Sequence, residues 1–182
     1  QRSVENVIKE IKYWIKNLKT NKFVFRDPVF SINRKHTVSL CEEIIKENLK
    51  IEFLIETHLK NLDDELIKLL KNAGLKMVYI GIESSNANVL KDIKRFTVNN
   101  DEQYQIINKL KKSGIYVKSM FMFGNPEDSV ETIKKTIEYS RFLPNQLVQY
   151  SVFTPYPGTP AYNEFKNKIV VREFEKFNQY NL

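Results

Sequence analysis

The stretch that decides the fold is residues 74–84, which read GLKMVYIGIES. Gly74 follows an amphipathic segment and is typical of the left-handed residue that ends a helix. Residues 76–82 are almost continuously apolar, which indicates a strand that is buried on both faces of a sheet. Gly81 and Glu83 stand where that strand ends. A helix, a stop and a buried strand in this order are typical of a parallel β/α unit.

The same alternation of helix and strand extends in both directions from this unit. We predict strands over residues 22–26, 51–56, 76–82, 116–123 and 146–153. Helices are predicted over 3–19, from 37 onward, and over 63–73, 87–92, 100–113 and 128–142. The predicted N-caps include Ser3, Thr37 and Asn100, with Gln103 and Glu131 at capping-box positions. Strands that are separated by helices require right-handed crossovers, so the fold class is α/β with a parallel sheet.

Composition limits the kind of protein. The chain has 182 residues, of which 42% are hydrophobic and 28% charged, and this suits one globular domain. No apolar run approaches the roughly 18 residues that a membrane span needs, and no signal peptide opens the chain, so we expect a cytoplasmic protein. The single cysteine, Cys41, and two histidines exclude an internal disulfide and cannot form a zinc or cluster site alone.

The formal net charge of +7 raises the question of nucleic-acid binding. The lysines are distributed along predicted helices, as in the pairs 111–112 and 134–135, and form no dense basic arm. We interpret them as solvated helix faces, and nucleic-acid binding is the less favoured interpretation.

Three of the five glycines lie at or just beyond predicted strand ends: Gly81, Gly124 and Gly158. Ligands bind at that edge in parallel β/α folds, and glycine lets a ligand approach the backbone closely. Tight turns are an equally good explanation of these glycines when each is taken alone.

Three short motifs follow successive strands: GIES at 81–84, FGNPE at 123–127 and PYPGTP at 155–160. Together with residues 62–74, this ordered series resembles the radical S-adenosylmethionine (SAM) superfamily. Within it, the series is similar to the cobalamin-associated group that includes the anaerobic magnesium-protoporphyrin ester oxidative cyclases. The resemblance covers residues 23–162, most of the chain.

The resemblance implies a partial TIM-type (β/α) barrel with about five of six parallel strands present. It implies SAM and a 4Fe-4S cluster in the parent enzyme, which cleaves SAM reductively to a 5′-deoxyadenosyl radical. It also implies a small-molecule substrate, an electron donor such as flavodoxin or ferredoxin, and cobalamin held by an upstream domain.

The family's Cys-x3-Cys-x2-Cys cluster loop is absent, and three thiolates are needed to hold the cluster. We therefore expect residues 1–168 to be a truncated core that is inactive alone and carries no cluster or other metal. Residues 169–182 are expected to form a C-terminal tail or the start of a next segment.

Carboxylates at strand ends are the first candidate SAM contacts that the resemblance implies. Glu56 would pair with the amino group of SAM, and Glu83 would accept the two vicinal ribose hydroxyls with its two oxygens. Ser84 follows Glu83 and is alternatively a helix cap. Asp27 stands where relatives carry acidic residues, although Asp-Pro is also an ordinary turn. Arg95 would meet the carboxylate of SAM, and a solvated arginine at a helix end is the favoured alternative.

The adenine-binding candidates come from the next two strand ends. Gly124, Asn125 and Pro126 resemble the family's segment beneath the adenine. Phe153 and Thr154 would continue that pocket, with aromatic surface for the purine.

Two other functions remain open. A transfer RNA methylthiotransferase carries a similar Pro-Gly-Thr-Pro ending, although Tyr156 stands where such relatives often have arginine. A non-catalytic binding module that kept the fold but lost the cluster is the second. The expected truncation, which removes the first strand, would leave strand 22–26 with an exposed edge, and such an edge invites dimerisation or a covering tail.

Overall fold

The computed structural model describes residues 2–93, 95, 98–171 and 173–179. Its helices and strands alternate along that part of the chain. In order they are α1 (Val4–Leu18), β1 (Lys22–Val24), α2 (Arg34–Lys46), β2 (Glu52–Thr57), α3 (Asp64–Ala73), β3 (Leu75–Glu83), α4 (Ala87–Asp92), α5 (Asn100–Lys112), β4 (Tyr116–Phe123), α6 (Val130–Phe142), β5 (Leu147–Val152) and α7 (Pro160–Phe165).

The five strands form one parallel sheet in sequence order, β1-β2-β3-β4-β5. Each strand pairs with its neighbour along the chain, and the connecting helices return the backbone to the starting edge. The sheet curves into a half-barrel. The predicted partial (β/α) barrel is therefore confirmed, and each predicted strand is present with ends that differ by at most two residues.

The two faces of the sheet differ in burial because side chains alternate along each strand. One set is buried under the helices: Phe53, Ile55, Val78, Ile80, Val117 and Phe121. The alternate set is only partly buried and lines the open concave face: Leu54, Glu56, Tyr79, Lys118 and Met120. The core thus lies between the sheet and α2, α3 and α5, and leaves the concave face available to a ligand.

The N-caps of two helices were predicted wrongly, although both helices exist. α2 begins three residues earlier than predicted because the Asn33 side chain accepts a hydrogen bond from the His36 amide. Thr37 instead lies inside the helix, buried, and its hydroxyl donates to the carbonyls of Phe30 and Asn33. Asn99, not Asn100, caps α5, and Glu102 completes the capping box.

The capping box of α6 is also shifted. Ser129 and Thr132 satisfy each other's backbone amides, and Glu131 instead forms an ion pair with Lys135. Gln103, predicted as a capping-box residue of α5, is buried and hydrogen-bonds the Val98 carbonyl and the Tyr139 hydroxyl. Nearby polar residues offer the same capping chemistry, and at α2 the buried position of Thr37 removes it from the cap.

The two edges of the sheet, formed by β1 and β5, differ in what lies beside them. Within the described residues, β1 pairs only with β2, and a cavity of about 460 Å³ lies beside it, lined by α1 and aromatic side chains. At the opposite edge, the Val152 amide donates to the Gln179 carbonyl over 2.7 Å. The described part of the C-terminal segment 169–179 (residues 169–171 and 173–179) thus contacts β5 through Gln179, whereas the predicted covering tail was considered for β1.

Asparagines 99 and 100 provide a direct test of where α5 begins. Because Asn99 caps the helix, Asn99→Ala should lower the free energy of unfolding by about 1 kcal/mol. Asn100→Ala, one residue inside the helix, should change it by less than about 0.5 kcal/mol. Urea unfolding followed by circular dichroism measures both, and the reverse order of the two effects would contradict this capping arrangement.

Candidate functional site

Four of the candidate residues predicted from the sequence lie at the carboxyl edge of the sheet. Glu56 is the penultimate residue of β2 and Glu83 the last residue of β3, while Gly124 and Phe153 directly follow β4 and β5. Parallel strands that end side by side place these positions on one rim, although almost a hundred residues separate the first from the last in the sequence.

Glu83 is the most constrained member of this rim. Its carboxylate forms an ion pair with Arg95, with Nη2 and Oε1 separated by 3.1 Å, and only 19% of the Glu83 side chain is exposed. Glu83 has a φ of +66°, a left-handed conformation that is uncommon for a residue with a Cβ atom. The pairing between β3 and β4 also shifts register between Gly81 and Glu83.

The electrostatics around Glu83 have identified sources. Burial raises the pKa of its carboxyl, the Arg95 guanidinium opposes that shift, and the Glu56 carboxylate adds to it. Burial also lowers the pKa of His58, to which Arg95 and then Lys60 contribute. Glu56 and Arg95 therefore lie close enough for their charges to act on the Glu83 carboxyl.

Asp27 and Glu56 lie together in a cavity of about 170 Å³ that also contains Tyr79. Tyr79 is the register partner of Glu56 on one side and of Lys118 on the other. The Lys118 ammonium sits 4.5 Å from the centre of the Tyr79 ring, a cation–π contact. The sequence reasoning did not select Tyr79 or Lys118, and the alternation of side chains along the predicted strands was the signal that could have found them.

The adenine-binding candidates form a separate part of the rim. Gly124, Pro126, Phe153 and Thr154 line a cavity of about 380 Å³. The opposite wall belongs to the C-terminal segment 169–179, including Val171 and Phe177. No signal in the sequence indicated that this segment closes the cavity.

Ser84 and Asn125 lie behind the rim. Ser84 is 1% exposed, and its hydroxyl contacts that of Thr136 and accepts from the Asn86 amide. Asn86, not Ser84, caps α4. The Asn125 amide group donates to the Met122 carbonyl and the Asp128 carboxylate, which holds the turn after β4. In this geometry both side chains support the loops that carry Glu83 and Gly124.

The residues of this chain do not fit an iron–sulfur cluster. The sequence has one cysteine, and the described residues contain no group of three or more cysteine, histidine, aspartate or glutamate side chains arranged to hold a metal. Cys41 is fully buried in α2, and burial raises the pKa of its thiol to about 12, with the Glu42 carboxylate adding to the shift. A neutral, enclosed thiol is a poor metal ligand.

The chain also lacks a membrane-crossing helix as far as the structure describes it, since no helix there is both long and apolar enough.

Comparison with known proteins gives a consistent family likeness. The sequence profile described as the Radical SAM superfamily matches residues 1–140. The chain is 28% identical over 179 residues to the anaerobic magnesium-protoporphyrin IX monomethyl ester cyclase of Rubrivivax gelatinosus. That match covers 97% of this chain and 32% of the cyclase. It is 29% identical over 178 residues to the bacteriochlorophyllide d C-8(2)-methyltransferase of Chlorobaculum tepidum, covering 94% of this chain and 39% of that protein.

Solved structures share the fold. The radical S-adenosylmethionine methyltransferase TsrM from Kitasatospora setae, with cobalamin and a [4Fe-4S] cluster bound, superposes with a TM-score of 0.84 at 19% identity. That match covers 92% of this chain and 34% of TsrM. The chain spans about a third of the length of the first curated relatives it matches.

The buried thiol of Cys41 gives a measurable consequence. At about pH 8, a pKa near 12 leaves about a thousandfold less thiolate than an ordinary cysteine has. Iodoacetamide should therefore leave the folded chain unmodified and should alkylate Cys41 rapidly in urea, as measured by mass spectrometry. Fast labelling of the folded chain would contradict the buried position.

Proposed function

The chain belongs to the radical SAM superfamily, and from that premise we propose that its carboxyl rim binds the nucleoside and amino-acid parts of SAM. The observation that carries this proposal is the carboxylate of Glu83 at the end of β3, which is largely but not fully buried, with 19% of the side chain exposed. A buried carboxylate is costly to keep, and a rim beside an open cavity is where its acceptor oxygens reach a ligand.

The residues present fit SAM in three places. Glu83 offers two carboxylate oxygens to the ribose hydroxyls, and Glu56 with Asp27 offers negative charge to the ammonium group of the methionine part. The apolar cavity beside Gly124, Pro126 and Phe153 accepts an adenine ring. Thr154 and the C-terminal segment 169–179 shield that ring from water.

This chain supplies a limited part of the chemistry. The superfamily's reaction is the reductive cleavage of SAM at a 4Fe-4S cluster, which supplies a 5′-deoxyadenosyl radical. Because the residues here do not fit the cluster, its ligands in this proposal come from outside the present sequence, as do the electron donor and any cobalamin. This chain binds and orients SAM and excludes water from it.

The reaction after radical formation is proposed from the relatives. One relative is named as a magnesium-protoporphyrin IX monomethyl ester cyclase, and two others are named as bacteriochlorophyllide d methyltransferases. We propose an oxidoreductase or methyltransferase with a small-molecule substrate on the concave face, where Tyr79 and Lys118 lie. The open concave surface that adjoins the rim supports a substrate that lies next to SAM.

A transfer RNA methylthiotransferase is the second candidate. The tRNA-2-methylthio-N(6)-dimethylallyladenosine synthase of Buchnera aphidicola is 28% identical over 117 residues, which is 62% of this chain and 26% of that protein. The net charge of +7 also suits a polyanion. Against it, position 156 is a tyrosine whose ring packs 6.5 Å from that of Phe177. Transfer RNA binding that weakens steeply with added salt would favour this candidate.

Binding of S-adenosylhomocysteine, measured by isothermal titration calorimetry, tests the proposed site. Glu83→Gln removes the charged acceptor and should weaken binding by about tenfold or more. Phe153→Ala removes aromatic surface from the adenine cavity and should weaken binding by a similar factor.

The matched control is Glu42→Gln, the same chemical change at an exposed position on α2. It should bind as the unmodified chain does. Equal affinity in Glu83→Gln and the control would show that the nucleoside is not held by β3.

A further inference from the structure

One row of side chains crosses the concave face of the sheet. Because the strands pair in register, Glu56 on β2, Tyr79 on β3 and Lys118 on β4 lie side by side. Neighbouring strands are about 4.8 Å apart, so the backbones at the two ends of this row are roughly 10 Å apart. The row therefore presents a carboxylate, an aromatic ring and an ammonium group in that order.

The ammonium group of Lys118 has no anionic partner in the described part of the chain. The Lys118 side chain is half-buried, and its contact is with the Tyr79 ring, 4.5 Å from the ring centre. Lys76, Lys109 and Lys135, in contrast, each pair with a carboxylate at the surface. A carboxylate would hold the Lys118 ammonium group more strongly than the ring does, because it accepts charge-assisted hydrogen bonds from the N–H donors.

The row descends from the rim into the half-barrel. Glu56 is one residue from the end of β2, whereas Tyr79 is four residues from the end of β3 and Lys118 five from the end of β4. A strand rises about 3.3 Å per residue, which places Lys118 roughly 16 Å along β4 from its carboxyl end. Lys118 therefore lies deeper on the concave face than the rim residues that are proposed to bind SAM.

The surroundings of Lys118 on this face are apolar. The sequence has three methionines, and all of them, Met77, Met120 and Met122, project on the same side of the sheet as Tyr79 and Lys118. Each of the three is half-buried. Methionine side chains are flexible and polarizable, and surfaces rich in them adapt to apolar ligands. The face therefore combines an adaptable apolar floor with one cation.

We propose that Lys118 binds a carboxylate of the substrate, while Tyr79 and the three methionines contact the apolar body that carries it. The inference rests on the proposed function, which places a small-molecule substrate on this face, and adds its chemical class: an apolar compound with one carboxylate. A single cation balances one negative charge, and the Glu56 carboxylate at the other end of the row disfavours a second. A phosphate group, with nearly two negative charges, fits this face less well.

Two probes with the same aromatic body test the inference: 1-pyreneacetate carries a carboxylate, and 1-pyreneacetamide is uncharged. Equilibrium dialysis followed by pyrene fluorescence measures the affinity of each. The unmodified chain should bind the carboxylate about tenfold more tightly than the amide. Lys118→Gln should bind the two probes equally, whereas Lys118→Arg, which keeps a cation, should retain most of the preference.

A second variant separates the ring from the charge. Tyr79→Leu removes the aromatic surface but leaves the ammonium group, so it should weaken both probes by about threefold and preserve the preference for the carboxylate. Lys76→Gln is the matched control, because it removes the same charge from an exposed position of β3 that pairs with Glu52. It should bind both probes as the unmodified chain does. Melting temperatures from circular dichroism show that each variant is folded.

Binding of S-adenosylhomocysteine separates this inference from the function on which it rests. Lys118→Gln should bind S-adenosylhomocysteine as the unmodified chain does, since Lys118 lies away from the rim. A folded Lys118→Gln that still prefers the carboxylate probe, or an unmodified chain that does not distinguish the probes, would overturn the role of Lys118 and leave the SAM site standing. A preference that depends on Lys118 in a chain that does not bind S-adenosylhomocysteine would support the carboxylate site and count against the SAM site.

Discussion

Each strand of the half-barrel begins at the same edge as its neighbour, because all five run parallel and follow one another in sequence order. The chain must therefore cross back through a helix after every strand, and α2, α3 and α5 bury one face of the sheet. The other face stays concave and open. The loops that leave β2, β3, β4 and β5 meet at one rim, so topology brings together residues that are far apart in the sequence.

The rim holds Glu83 in an environment that is unfavourable for a charged side chain. Glu83 is largely removed from water, lies near a second carboxylate and adopts a left-handed backbone. Arg95 compensates the charge, and the absence of a side chain at Gly81 makes room for the pair. Such an arrangement contributes little to folding, since the desolvation of two charges offsets their attraction. In the proposed function, its value is a carboxylate that is fixed in place before a ligand binds.

Much of the fold was predictable because strong local signals agreed with it. Residues 77–80 and 120–123 are apolar runs that a glycine follows directly, and the strands formed where predicted. The caps at Asn33, Asn99 and Ser129 were not predictable, since nearby polar residues offered the same capping chemistry. The order of the rim motifs was visible in the sequence. The register shift at Glu83, the fit of Arg95 onto Gly81 and the wall formed by segment 169–179 arise only from tertiary contacts.

The most direct measurement of the central claim is a crystal structure of the chain soaked with S-adenosylhomocysteine. The account predicts the ribose hydroxyls within about 3 Å of the Glu83 carboxylate oxygens, with Arg95 still paired to Oε1 and the purine in the cavity beside Gly124 and Phe153. A nucleoside bound elsewhere, or a ribose that leaves Glu83 untouched, would contradict it.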